Sequence, residues 1–62
     1  YQEEAEAYMQ AVRIKPDFAE AHLGLGIVYL NHGDKKLALE EYKILRDLDK
    51  DSANGLFNLI YK

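Results

Sequence analysis

Three side chains of types used in catalysis or metal binding are His22, His32 and Ser52, and their spacing decides what they can do. His22 falls on a helix face and His32 in a turn, so the pair does not converge. The chain has no Cys to complete a zinc set with them. The expected role of His22 is packing, with a ring nitrogen satisfied by a neighbour. His32 belongs near a helix C-terminus, where positive charge is favoured. Ser52 is the only Ser and has no adjacent base to activate it, so it reads as a helix cap. Gly24-x-Gly26 lies inside a helical pattern rather than between a strand and a helix, which excludes a phosphate loop. The residues point to no catalysis, no cofactor and no metal.

Charge narrows the partners. Acidic residues outnumber basic ones by 11 to 8, a formal net charge of −3. Lys35-Lys36 is too small a patch to track a phosphate backbone, so nucleic acid is not expected. Glu3-Glu4-Glu6 and Glu40-Glu41 read as solvated faces, with attraction of a basic peptide as the alternative. No basic amphipathic face, long apolar run or signal segment is present, which predicts a soluble chain off the membrane. A cytoplasmic setting is favoured, although the lack of Cys leaves the redox compartment open.

Positioning these residues takes four helices. The first is expected from Gln2 to Ile14, ended by Pro16, which pushes its predecessor out of helical geometry. The second runs to Asn31, with Asp17 as its cap and Glu20 three residues on. Gly33 takes a left-handed C-terminal position, and Asp34 caps a third helix from Lys35 to Leu48. The last spans Ala53 to Tyr61, with Asp51 or Ser52 as its cap. No segment alternates with period two, so the fold class is all-α.

Within this frame, His22-x-x-Leu25-Gly26-x-x-Tyr29 followed by Ala38-x-x-x-Tyr42 sets large and small residues at helical spacing. Mid-helix Gly costs about 1 kcal/mol relative to Ala, so a packing reason is expected. Gly26 should meet Ala38 where the second and third helices come closest. The pattern resembles the tetratricopeptide repeat, with His22 in the usual Trp place, Tyr42 in the Phe place and Lys50 in the closing Pro place. A shift of 34 residues pairs Glu6 with Glu40, Tyr8 with Tyr42, Asp17 with Asp51, Ala19 with Ala53 and Leu25 with Leu59, 5 identities in 28 pairs. That period fits helix-turn-helix repeats. The resemblance implies antiparallel helical hairpins stacked as a short right-handed α-solenoid. Residues 1–16 would be the second helix of a preceding repeat, 17–52 a full repeat and 53–62 a capping helix. Ile60 stands in the place of Gly26 and leaves little room for a close following helix.

The resemblance also implies where a partner would bind. Glu20, Leu23, Ile27, Leu30 and Asn31 on the second helix, with Asn54, Phe57 and Tyr61 on the last, occupy the inner, concave positions of such repeats. Leu23 and Ile27 stand where members that clamp C-terminal carboxylates carry polar or basic residues, so no such clamp is expected. A largely apolar stripe of this kind marks a protein-interaction surface. Two readings stay open: a scaffold that binds a peptide or helix, and a structural element that caps an array or self-associates. Tyr1, Tyr8 and Val12 on the first helix are expected to lack cover, which favours a symmetric homodimer.

Overall fold

Pro16 and Gly33 make the two loops of the chain, and Asp49 makes a third unnecessary. The computed structural model describes residues 2–62 and contains four helices and, among the described residues, no strand. They are α1 (Gln2–Ile14), α2 (Ala19–Asn31), α3 (Lys35–Leu48) and α4 (Lys50–Ile60). The all-α expectation holds, with the first and third helices at their expected bounds. Tyr1 lies outside the described residues.

Each junction has a local cause. Lys15 to Phe18 form a turn around Pro16, closed by the Phe18 N–H donating to the Lys15 carbonyl at 3.0 Å. The residue before α2 is Phe18, in extended geometry and without a side-chain cap bond, so the expected Asp17 cap is not made. At the other end Gly33 has φ 83°. Its N–H donates to Leu30 at 3.1 Å and that of Asp34 to Tyr29 at 2.8 Å, the paired bonds of a Schellman motif. Asp34 occupies the N-cap position of α3 as expected, though its side chain makes no cap bond.

The α3–α4 junction differs most from expectation. Asp49 is both the last cap of α3 and the first of α4. Its N–H donates to Leu45 at 2.7 Å, and its carboxylate accepts from the N–H of Asp51 at 3.1 Å and of Ser52 at 3.4 Å. The cap is therefore Asp49 rather than Asp51 or Ser52, and α4 starts three residues earlier than expected. Lys50 explains the shift. At the equivalent place before α2, Pro16 sits in a turn, whereas Lys50 is the first residue of a helix. Ser52 still takes part, its hydroxyl donating to Asp49 at 3.0 Å.

Helix α2 is central and packs against the other three, whereas α1 packs against α2 alone. The core is built by Leu25, Val28 and Tyr29 of α2, Ala38 and Leu45 of α3, Ala53, Leu56 and Ile60 of α4, and Ala5 of α1. Leu45 and Leu56 are fully enclosed; burial of each side chain is worth roughly 1.5–3 kcal/mol. Val12, expected to lack cover, is half-buried and packs on this core. Tyr8 does remain exposed.

The glycines of α2 receive side chains from opposite sides. A Cβ on Gly26 would stand 2.6 Å from Leu56 Cδ2, so the bulk meeting Gly26 comes from α4. Ala38 is buried in α3, and the side chain that fills the space over Gly26 is Leu56 of α4. A Cβ on Gly24 would meet the Tyr8 ring at 2.4 Å, so this second glycine seats an aromatic from α1.

Candidate functional site

His22 sits in a polar clasp at the hairpin base. Its Nδ1 lies 2.7 Å from Glu41 Oε1 on α3, and its Nε2 lies 2.7 Å from the Pro16 carbonyl. Both ring nitrogens therefore have an oxygen within hydrogen-bond distance. The residue is only 6% exposed, which bears out the packing role. Glu41 is not the solvated residue that its neighbour Glu40 suggested; it is half-buried against His22. The available signal was helical phase, since Glu41 shares the face of Ala38 and Leu45. His32 caps the end of α2, as expected, with its Nε2 3.8 Å from Glu4 on α1. The Tyr29 phenol is held above its ordinary range by burial first, then by the charges of Glu41 and Asp34. Among the described residues no group of His, Asp and Glu is arranged to hold a metal.

The surface between α1 and α2 carries one long groove. Glu3, Glu4, Ala7, Tyr8 and Ala11 share a face of α1, and Glu20, Ala21, Gly24, Ile27, Val28 and Asn31 share the facing side of α2. The Tyr8 ring on Gly24 divides the groove into halves of about 370 Å³ and 350 Å³. The first half holds Glu3, Glu4, Ile27 and Asn31. The second holds Phe18 and Glu20.

Between α3 and α4 the same repeat position looks different. Tyr42, 34 residues after Tyr8, stacks on Phe57 at 5.4 Å between centroids, and Phe57 stacks on Tyr61 at 4.9 Å. Lys35 Nζ lies 4.5 Å from the Tyr61 ring centroid, and the Arg46 guanidinium 5.8 Å from that of Tyr42. Here the aromatics of α4 cover the tyrosine themselves.

The eight concave-surface residues therefore separate into groups. Glu20, Ile27 and Asn31 line the α1–α2 groove. Leu23 and Leu30 are half-buried and pack on the core. Phe57 and Tyr61 join the aromatic stack, and Asn54 is exposed. Sequence reasoning missed Tyr8, Gly24 and Phe18 as groove residues. Tyr8 was legible as the 34-residue partner of Tyr42, but which side chain would cover each tyrosine was not.

These hairpins, joined by short turns and packed through glycine positions, define an all-α helical-repeat protein. The family model described as a TPR repeat matches residues 1–33, just over half of the chain. The chain belongs to the tetratricopeptide repeat family, whose repeats generally mediate protein–protein interaction. The match covers α1 and α2, whereas the motif read from sequence lies on α2 and α3. Comparison with curated proteins and with solved structures gives no significant match.

Proposed function

We infer that this chain is a protein-interaction scaffold, without catalytic activity, that holds a peptide or helix of another protein along the inner faces of α2 and α4. The observation that carries this reading is an apolar side-chain series left open by the chain's own helices. Ile27 is half-buried, and Phe57 and Tyr61 are 42% and 52% exposed. Apolar side chains of this size left exposed support an interface. Residues 17–52 form the full repeat in this reading, with 1–16 contributed by a preceding one. Residues 53–62 act as the closing helix, because Ile60 fills the core where Gly26 leaves space on α2.

A display selection of random peptides tests the reading. Selected peptides should lose binding when Ile27 and Phe57 are both changed to Ser, and keep it in Ile14→Ser, a change at an 85% exposed position on α1. Peptides insensitive to the double change would contradict it.

The second reading, self-association into a homodimer, is favoured by exposed Tyr8, Met9 and Ile14 on α1. This helix has only α2 as a neighbour. Association through Met9 and Ile14 would leave Ile27 and the inner face of α4 free, whereas association through Tyr8 would cover the groove that Ile27 also lines. No helix among the described residues is long and apolar enough to cross a membrane. A soluble, cytoplasmic setting fits both readings.

A further inference from the structure

The two tyrosines that the 34-residue period relates, Tyr8 and Tyr42, mark one open groove and one closed one. Tyr42 is covered by Phe57, whose stack continues to Tyr61. In the corresponding places Tyr8 has Leu23 and Ile27, and its ring rests on Gly24 with a groove on either side. Resting on the scaffold reading above, we propose that the partner docks in the α1–α2 groove, and that it is a basic, apolar peptide whose hydrophobic side chains enter the two halves while its Lys or Arg residues meet the rim.

Charge complementarity selects this occupant. The groove lining carries Glu3, Glu4 and Glu20 and no Lys or Arg. Glu4 lies 3.8 Å from His32 Nε2, across an exposed contact. Residues 1–34 carry 6 acidic and 2 basic side chains, a net −4, whereas residues 35–62 carry 5 and 6, a net +1. Two cations of the second half lie by the closed stack, Lys35 on Tyr61 and Arg46 on Tyr42. A basic segment is therefore drawn to the α1–α2 side, and an acidic one is repelled from it. The groove floor supplies the apolar part through Ala7, Ala21, Ile27 and Val28.

The test uses a short fluorescein-labelled peptide in which leucines are flanked by lysines, against a version with glutamates in place of the lysines. Fluorescence anisotropy should show binding of the first peptide only, weakening as salt rises. Neutralising the rim (Glu3→Gln, Glu4→Gln and Glu20→Gln together) should weaken binding about tenfold or more, chiefly through slower association. Gly24→Ala should weaken it by a similar factor of about ten without changing any charge, because the new Cβ displaces the Tyr8 ring. Gly55→Ala, where nothing lies within 4 Å, should leave affinity unchanged. Circular dichroism of each variant confirms that helix content is retained. Equal binding of both peptides, or no binding of either, would overturn the proposal. So would binding lost in Phe57→Ser and kept in the groove variants, although that result moves the docking site to α4 and leaves the scaffold reading standing.

Discussion

Gly26 and Leu56 share one space: a Cβ on the first would lie 2.6 Å from one methyl of the second and 2.9 Å from the other. Because Leu56 is fully enclosed, its side chain has nowhere to retreat. Gly26→Ala gains about 1 kcal/mol of helix propensity and meets an overpacking cost of about 1–3 kcal/mol. The expected net effect is destabilisation in urea unfolding, largely relieved in a Leu56→Ala background. Gly55→Ala, with the same propensity gain and open space, should stabilise by about 0.5–1 kcal/mol. If both changes stabilised equally, the α2–α4 contact would be misplaced.

The two helix starts make a matched pair. Asp49→Ala removes the carboxylate bonded to the first N–H groups of α4, at a cost of about 1 kcal/mol. Asp17→Ala should change stability by no more than about 0.5 kcal/mol, as a surface substitution away from any cap bond. Thermal melts of the two variants decide the matter. Equal losses would restore Asp17 as a cap.

Removing Glu41 should be felt across two helices. Glu41→Ala leaves a buried imidazole nitrogen without its acceptor, a loss of about 1–3 kcal/mol. Glu40→Ala, one residue away on an exposed position, should be close to neutral. Nuclear magnetic resonance of the His22 ring should report the change in Glu41→Ala and not in Glu40→Ala. An unaltered His22 signal in both would remove the clasp.

Tyr29 sets an alkaline limit on stability. Its folded-state ionisation is shifted upward, first by burial and then by Glu41 and Asp34, so folding favours the neutral phenol. That contribution is fully present below the ordinary tyrosine value of about 10. It is lost as pH rises through the higher folded-state value. Melting temperature should therefore fall between neutral pH and above about pH 10, and fall less in Tyr29→Phe. An identical fall in the two proteins would show that Tyr29 carries none of it.

What the sequence discloses here follows the range of the interactions involved. The bounds of α1 and α3, and the turn at Gly33, rest on contacts within a few residues, and local pattern is enough to place them. Asp49 was passed over because its own helix and the next meet without a loop, so the usual break between two patterns is missing. Gly26 announced a close approach, but the approaching side chain comes from 30 residues further on, and two helices compete for that place. Glu41 looked like its neighbour Glu40 because nothing local says which of two adjacent carboxylates turns inward. The candidate surface was legible as a set of positions on α2 and α4. Its division into a groove around Tyr8 and a stack on Tyr42 depends on side chains contributed by α1 and α3.

The most direct measurement is sedimentation equilibrium of the wild-type chain and of an Ile27→Ser, Phe57→Ser variant from low to high micromolar concentration. A face reserved for another protein takes no part in self-association, so the two should show the same mass at every concentration, whether α1 makes a dimer or not. A wild-type dimer that becomes monomeric in this variant, with helix content retained, would show that the chain buries the face against itself and would contradict the scaffold reading.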